Sequence, residues 1–225
     1  MYNSRFLNDT NNVLEQLKVS PIVPVFFHAD AEYARQIVQA CYAGGIRFFE
    51  FTNRGPEAFS VFATLREFVQ QQCPGMALGI GTIYTPEDAA RFLDAGADFL
   101  VQPVTTEAVG RTCRKYDKPW IPGAMTLNEI WTAWQHGAAV VKVFPGNLVG
   151  PDYIKALRGP MPEVPLMVTG GVEPVAENVR QWLSAGVQAV GIGSQLFKGD
   201  YSKGFEALSG RISELLNGLG LPGRT

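Results

Sequence analysis

Short apolar runs alternate with longer segments of helical periodicity along most of this chain, and this alternation restricts the folds that it can form. Strands of a parallel sheet are buried on both faces and read as short apolar runs, and the helices between them read as amphipathic segments. The alternation therefore predicts βα units around a parallel sheet. We count eight runs, at residues 21–27, 46–52, 77–82, 99–103, 120–124, 139–145, 165–171 and 189–194.

A weak internal repeat supports this count. Glycine can adopt the left-handed conformation that ends a helix, and glycine-ending pairs precede several of the runs. Eight strands in one series, each followed by a helix, most simply close into a single (β/α)8 TIM barrel, an α/β fold. A doubly wound open sheet is the alternative. The pairs are Ala43-Gly44, Ala95-Gly96, His136-Gly137 and Ala185-Gly186.

The whole chain, residues 1–225, is expected to form a single TIM-barrel domain because no low-complexity linker divides it. Residues 1–20 are predicted to form an additional N-terminal helix, and residues 21–200 the barrel. Residues 201–225 are predicted to form a C-terminal helix and tail, since "FEALSGRISELL" places apolar residues at helical spacing.

Composition and charge exclude several classes of function. The formal net charge is -2 and 18% of the residues are charged, so a strongly basic nucleic-acid surface is not expected. Neither a secretory signal nor a membrane span is indicated, because charges interrupt the beginning of the chain and no apolar run is long enough. The scattered Cys41, Cys73 and Cys113 suggest neither a disulfide framework nor a zinc site, and they favour the reducing cytoplasm.

The second run, "RFFEFTNRG", carries polar residues at alternate positions. Phe48, Glu50 and Thr52 share one parity, with Arg54 just beyond on the same count. In a parallel barrel, side chains of one parity point inward, and the strand ends that lead into the βα loops surround the active site. The polar side chains are therefore predicted to converge on the barrel mouth, while Phe49 and Phe51 face the helices.

The sixth run contains one lysine among apolar residues. The same count turns Val140, Lys142 and Phe144 inward, with Lys142 within reach of Glu50 across the barrel. Desolvation and the nearby positive charge of Arg54 favour the neutral amine, and a lysine whose pKa is lowered to about 7 to 8 is a nucleophile toward a carbonyl carbon. The alternative is a Lys142–Glu50 salt bridge with no chemical role.

Glycines follow the last two runs. "VTGGV", with Gly170 and Gly171, ends the seventh, and "GIGS", with Gly193 and Ser194, ends the eighth. These are the strand ends where barrels commonly hold a phosphate through backbone N–H groups. The pair of motifs predicts a site for phosphate or another small anion.

Other polar residues give weaker signals. Thr82 in "GIGT" is assigned inward parity along with Leu78 and Ile80, so that its hydroxyl can bind a substrate oxygen, and Thr85 before Pro86 is the better helix cap. The two histidines, His28 and His136, are not favoured as catalytic groups. No cluster of metal ligands at suitable spacing is present, so a metal is not expected.

Together, "FEFTNRG", "GIGT", "QP", "IPGAMT", "VKVFPG", "VTGGV" and "GIGS" resemble, in order and spacing, the 2-keto-3-deoxy-6-phosphogluconate (KDPG) aldolase family, which includes 4-hydroxy-2-oxoglutarate (KHG) aldolases. The likeness covers roughly residues 20–200. It implies a class I aldolase in which a lysine forms a Schiff base with pyruvate, without metal or other cofactor. It also implies a cytoplasmic homotrimer acting on small molecules, with KDPG cleavage belonging to Entner–Doudoroff carbohydrate metabolism.

The resemblance assigns a role to each matching position. Lys142 is the Schiff-base lysine and Glu50 the general acid/base. The pyruvate unit and its carboxylate are bound by Arg54, Thr82, Pro103 and Phe144, and the distal phosphate by Thr169, Gly170, Gly171, Gly193 and Ser194.

The implied reaction is cleavage of KDPG to pyruvate and glyceraldehyde 3-phosphate, with cleavage of 4-hydroxy-2-oxoglutarate to pyruvate and glyoxylate as a second activity. Asn53, Gly55, Val104 and the loop "GNLVGP" depart from the usual family pattern, near the distal half of the substrate. A phosphate-binding barrel isomerase or synthase, and a barrel that binds a sugar phosphate without turnover, are the alternatives.

Overall fold

Short parallel strands form one sheet in the computed structural model, which describes residues 13–202 and 204–221. The strand order is β5-β4-β3-β2-β1-β9-β8-β7-β6, and every recorded strand pair is parallel. The strands are β1 (Ile22–Phe26), β2 (Phe48–Thr52), β3 (Ala77–Gly81), β4 (Leu100–Val101), β5 (Trp120–Ile121), β6 (Gly123–Ala124), β7 (Val141–Val143), β8 (Leu166–Thr169) and β9 (Ala189–Ile192).

The sheet closes on itself at the fifth predicted run. β5 and β6 are separated only by Pro122, which has no N–H to donate to a ladder. Trp120 of β5 pairs with Leu100 of β4, and Gly123 of β6 pairs with Lys142 of β7. The two terminal strands of the sheet, β5 and β6, therefore belong to one five-residue run, which closes the barrel. The predicted barrel is confirmed, with its fifth strand in two parts, and the open-sheet alternative is wrong.

Helices alternate with the strands around the barrel. Thr85 caps α4 by accepting a hydrogen bond from the Asp88 N–H, and Pro86 occupies the first helical position, as expected from the sequence. The helices are α1 (residues 13–19), α2 (Ala31–Ala43), α3 (Ala58–Gln72), α4 (Pro86–Asp94), α5 (Glu107–Lys115), α6 (Leu127–Gln135), α7 (Gly146–Leu157), α8 (Ala176–Ala185) and α9 (Glu206–Gly218).

The predicted terminal helices lie partly within the described residues. Residues 13–19 are helical, while residues 1–12 of the predicted N-terminal helix lie outside the described residues. Helix α9 agrees with the predicted C-terminal helix, and residues 222–225 of the predicted tail are also outside the described part. None of the helices in the described part is long and apolar enough to cross a membrane.

The barrel interior is filled at the N-terminal ends of the strands. The rings of Phe48 and Phe99 stack there with centroids 3.8 Å apart, and Val13 and Leu17 of α1 pack against the same layer. Helix α1 therefore covers this end of the barrel and leaves the other end for a site. The layer consists of Val13, Leu17, Val23, Phe48, Phe99, Val101, Ile121, Val140, Met167 and Ala189.

The parity predicted for the second and sixth runs is confirmed. Phe49 and Phe51 of β2 and Val141 and Val143 of β7 belong to the larger core between the sheet and the helices. The residues between them therefore face the barrel interior.

The parity predicted for the third run is wrong. Leu78 and Ile80 pack outward against the helices, and the interior face of β3 carries Ala77 and two glycines. A side chain on Gly79 would overlap the Phe99 ring, and one on Gly81 would overlap the Glu50 carboxylate. Large residues therefore face outward on β3, and the position of Thr82 follows from the turn after Gly81 instead of from strand alternation.

Because the Phe48–Phe99 stack fills the barrel floor, we expect Phe99→Ala to lower the free energy of unfolding by about 3–5 kcal/mol, through lost burial and an unfilled cavity. Val19→Ala is the control, since Val19 is 60% exposed, and its effect should stay within about 0.5 kcal/mol. Denaturant unfolding measures both, and equal effects of the two changes would contradict the assignment of the floor.

Candidate active site

A lysine and a glutamate meet inside the open end of the barrel. Lys142 Nζ lies 3.5 Å from Glu50 Oε1, and the two residues are only 6% and 1% exposed. Val140 and Phe48 precede them by two residues in the chain and belong to the interior layer. The pair therefore lies one layer closer to the mouth, and the predicted convergence of Lys142 and Glu50 is confirmed.

Glycines on neighbouring strands make room for this pair. Gly81 of β3 lies against Glu50, where any side chain would overlap the carboxylate. Gly123 of β6 is the register partner of Lys142, and a side chain there would overlap the Pro103 backbone. The glycine at position 81 therefore leaves space for the Glu50 carboxylate, and Gly123 allows the end of β4 to approach the strand beside Lys142.

The buried carboxylate is only half satisfied. Glu50 Oε1 faces Lys142, whereas Oε2 is buried without a hydrogen-bond partner in the described part of the chain. Buried polar atoms are nearly always paired, and removing a charge pair from water is costly. Oε2 is therefore an acceptor available to the proton of a bound molecule.

An aromatic ring borders the lysine at the mouth. The centre of the Phe144 ring lies 5.6 Å from Lys142 Nζ, and Phe144 is 37% exposed. This places an accessible apolar surface next to the amine, where it can pack on a small ligand attached to the lysine.

The other polar residues predicted on the second run take different positions. Thr52 is buried, and its hydroxyl donates a hydrogen bond to the Phe26 carbonyl at 3.2 Å. Arg54 is exposed beyond the end of β2, and within residues 13–202 and 204–221 no hydrogen bond or ion pair is recorded for its guanidinium. Arg54 is thus available to an anionic ligand, but no contact places it beside Lys142.

Thr82 and Pro103 follow β3 and β4. Thr82 is half-buried and has a φ of 63°, which is unusual for a β-branched residue. Pro103 lies against Gly123. Both residues lie at the C-terminal ends of their strands, at the mouth of the barrel.

The two glycine motifs follow the adjacent strands β8 and β9. Gly170 and Gly171 have φ values of 94° and 73°, which glycine adopts without strain. In the described part of the chain, no backbone hydrogen bond is donated by the N–H groups of Gly170, Gly171, Gly193 or Ser194. The strand ends therefore present unpaired donors of the kind that bind a phosphate.

Thr169, at the end of β8, is placed differently from the glycines that follow it. Its Oγ1 is buried and lacks a partner among the described residues, and a side chain on Gly191 would overlap it. The hydroxyl is therefore a second unpaired group near the mouth.

Strand order divides these residues into two groups. Lys142 on β7 and Glu50 on β2 are separated along one side of the rim by β8, β9 and β1, and along the other by β3 to β6. Thr169 and the glycine motifs lie on the first side, and Thr82 and Pro103 on the second. A ligand across the mouth can therefore contact both groups while its centre lies over the Lys142–Glu50 pair.

The two histidines contact residues other than Lys142 and Glu50. His136 caps the C-terminus of α6, with Nδ1 3.8 Å from Glu107 Oε1. The His28 ring packs on Tyr33 at 4.4 Å between centroids and accepts a hydrogen bond from the Asp30 N–H. Neither contact involves Lys142 or Glu50.

The cysteines are poor nucleophiles. All three are free and buried, and burial raises the pKa of Cys73 to about 11 and that of Cys113 to about 12. Burial raises the pKa of Cys41 as well. Because the thiolate is the reactive form, these thiols are inert near neutral pH. No group of three potential metal ligands occurs among residues 13–202 and 204–221.

Sequence reasoning missed one buried polar link near the mouth. Gln102, directly before Pro103, is fully buried and bonded to the Trp120 indole and the Ile83 carbonyl. The available signal was an amide inside the apolar run "FLVQP", since a buried amide requires partners.

Comparisons with known proteins agree with this geometry. The family model described as "KDPG and KHG aldolase" matches residues 13–207. The KHG/KDPG aldolase of Escherichia coli (strain K12) is 31% identical over 169 residues, covering 75% of this chain and 76% of that protein. The 2-dehydro-3-deoxy-6-phosphogalactonate aldolase of the same organism is 36% identical over 126 residues, covering 56% of this chain and 60% of that protein.

The fold is also similar to that of a solved aldolase structure. KDPG aldolase from Legionella pneumophila, with pyruvate captured at low pH as a covalent carbinolamine intermediate, superposes with a TM-score of 0.80 at 27% identity. The match covers 90% of this chain and 97% of that one. With the family model spanning most of the chain and the predicted lysine–glutamate pair in the barrel mouth, this chain belongs to the KDPG and KHG aldolase family.

Proposed function

We propose that this aldolase is a class I enzyme that forms a Schiff base through Lys142 and cleaves KDPG to pyruvate and glyceraldehyde 3-phosphate. We include cleavage of 4-hydroxy-2-oxoglutarate to pyruvate and glyoxylate as a second activity. The observation that carries the proposal is the buried Lys142–Glu50 pair, with Nζ and Oε1 3.5 Å apart. A buried ion pair is weak support for stability, so a chemical role explains it better than a structural one.

In the proposed reaction Glu50 takes a proton from Lys142, and the neutral amine attacks the C2 keto carbon and forms a carbinolamine. The carbinolamine receives that proton from Glu50 and loses water, which gives a protonated imine and restores the carboxylate. Glu50 then takes the proton of the C4 hydroxyl while the C3–C4 bond breaks. The bonding electrons move into the imine and leave an enamine, and the aldehyde departs. Glu50 returns the proton to C3, and water hydrolyses the imine to release pyruvate and the free lysine.

The proposal needs neither a metal nor another cofactor, because the protonated imine accepts the electrons that the broken bond releases. Glu50 Oε2 has no other partner among the described residues, which supports its use as the proton acceptor. Each proton that the carboxylate takes up is given back within the cycle, so one residue can serve every transfer.

The substrate is proposed to lie across the mouth of the barrel. Arg54, Thr82 and Pro103 take the pyruvate carboxylate end, and Phe144 packs on the pyruvate unit. The distal phosphate is assigned to the unpaired N–H groups of the glycine motifs, with the Thr169 hydroxyl beside them. This orientation is supported by the strand order, which places Thr82 and Pro103 on the side of the mouth opposite the glycine motifs.

A second candidate substrate is 2-dehydro-3-deoxy-6-phosphogalactonate, which has the opposite configuration at C4. It is favoured by the 36% identity to an aldolase of that name. The ratio of kcat/KM for the two phosphorylated sugar acids, measured with coupled pyruvate detection, decides between them.

The family resemblance also suggests a homotrimer, and exposed apolar side chains support association of identical chains. They lie on or near the loops that follow β3, β4, β6 and β7, and isolated chains rarely expose extended apolar surface. We place this assembly in the cytoplasm, where the three free cysteines stay reduced. The exposed side chains in this region include Tyr84, Val104, Met125, Leu127, Trp131 and Leu148.

We expect borohydride reduction in the presence of pyruvate to attach a pyruvyl group to Lys142, because the reagent reduces the imine to a stable amine. Peptide mass analysis locates the adduct. Lys142→Met should abolish it, while Lys155→Met should retain it, since Lys155 is an exposed partner of Asp152 on α7. No adduct on any lysine of folded protein would refute the aldolase and favour a phosphate-binding isomerase, synthase or non-catalytic binder.

We expect Glu50→Gln to lower kcat by about 10²–10⁴-fold, because the amide fills the same space but cannot accept the substrate proton. KM should change little. Steady-state cleavage of KDPG gives both constants. Glu57→Gln, at an exposed position before α3, serves as the control and should keep normal activity. A Glu50→Gln enzyme with kcat close to the original would exclude Glu50 as the acid/base.

We expect Ser194→Glu to impair cleavage of KDPG far more than cleavage of 4-hydroxy-2-oxoglutarate, because the added carboxylate repels the phosphate and only KDPG carries one. The quantity to compare is kcat/KM for each substrate. Ser194→Ala is the matched control, since it keeps the backbone N–H and adds no charge. If Ser194→Glu lowered kcat/KM equally for both substrates, the assignment of the phosphate site to this loop would be wrong.

A further inference from the structure

Thr82 adopts a backbone conformation that needs external support. Its φ of 63° is left-handed, and β-branched side chains are strongly disfavoured there. Such conformations persist only where the surrounding structure holds them. The residue assigned to the substrate carboxylate is therefore at a position that would relax if its neighbours were released.

Two hydrogen bonds hold the chain on either side of Thr82. The Gly81 carbonyl accepts a hydrogen bond from the Asn53 N–H at 2.9 Å, which ties the turn to the end of β2. The Ile83 carbonyl accepts a hydrogen bond from Gln102 Nε2 at 3.0 Å. The first bond involves only backbone atoms, so Gln102 supplies the side-chain part of this support.

Gln102 is itself fixed in place. It is fully buried, and its Oε1 accepts a hydrogen bond from the Trp120 indole Nε1 at 2.8 Å. An amide suits this position because it accepts from the indole and donates to the carbonyl at the same time. The indole in turn packs against Gly110 of α5, where a side chain would overlap its ring.

Gln102 does not face the substrate. Val101, the preceding residue, belongs to the layer inside the barrel, so Gln102 points to the opposite face, between the sheet and the helices. It therefore acts on the site only through the residues beside it. These are Thr82, next to the bonded Ile83 carbonyl, and Pro103, which follows Gln102 in the chain.

We propose that Gln102, anchored by Trp120, is a positioning residue that holds the carboxylate end of the active site by fixing the turn at Thr82. The inference rests on the proposed Schiff-base function and deepens it. Its consequence is that loss of the Gln102 amide weakens binding of the pyruvate carboxylate and leaves the chemistry at Lys142 intact.

The test measures by NMR how fast the methyl protons of pyruvate exchange for deuterium in D2O. The dependence of this rate on pyruvate concentration gives KM for pyruvate and a maximal rate. In Gln102→Met/Trp120→Phe both polar partners are replaced, so no buried indole N–H is left unpaired. KM should rise about tenfold while the maximal rate stays within about threefold, the pattern of lost ground-state binding. Unchanged KM in the folded variant would overturn the inference.

A coupling measurement separates positioning from general destabilisation. Thr82→Ala alone should raise KM, and adding Gln102→Met/Trp120→Phe to it should raise KM by no more than about twofold further, because both changes remove the same interaction. Independent, multiplying effects would overturn the inference. Tyr42→Phe is the matched control: it removes a side-chain bond to the Pro74 carbonyl before β3 and should lower stability without changing KM.

A second variant keeps the test decisive if the double variant unfolds. Gln102→Glu keeps the shape and the acceptor for Trp120, but it donates to the Ile83 carbonyl only when protonated. Its KM relative to the original protein should therefore fall as the pH is lowered, and a constant ratio would count against the proposal. Absence of exchange in the unaltered protein would refute the proposed function itself, which distinguishes the two failures.

Discussion

Closure of the sheet at residues 120–124 brings the strands that carry Lys142 and Glu50 into one barrel, so that the two side chains meet inside it. Pro122 interrupts this run, yet its two halves pair with different neighbours, β4 on one side and β7 on the other. The Lys142 N–H donates to the Pro122 carbonyl at 2.8 Å, which fixes the height of Lys142 in the barrel. In a flat open sheet of the same strand order, β8, β9 and β1 would separate β7 from β2, and Lys142 would have no access to Glu50.

Absent side chains shape the site as much as present ones do. The interior face of β3 carries glycines where Glu50 and the Phe99 ring need space, and Gly123 allows the end of β4 to approach β6. The same principle operates at the end of β9, where Gly191 accommodates the Thr169 hydroxyl. Aromatic and aliphatic residues close the floor of the barrel, and Lys142 and Glu50 lie above this floor, on the side of the mouth.

The buried Lys142–Glu50 pair lies between two groups of residues that are built differently. The glycine motifs after β8 and β9 offer backbone N–H groups, which suit any phosphate and tolerate changes in side chains. The opposite end depends on individual side chains and on a strained turn at Thr82. In the proposed function Lys142 carries out the bond cleavage, and the residues at the two ends select which aldehyde is released.

The eight runs, the inward parity of Glu50 and Lys142, and the glycine motifs are predictable from the sequence alone, because period-two alternation and glycine placement are local properties. The inward parity of β3 is opposite to the predicted one, and it emerges from the tertiary structure because its inward positions depend on the space that Glu50 and Phe99 occupy. The tertiary structure also revealed the Trp120–Gln102–Ile83 link, whose partners come from three separate segments. Contacts between distant segments depend on barrel closure, which no short stretch of sequence encodes.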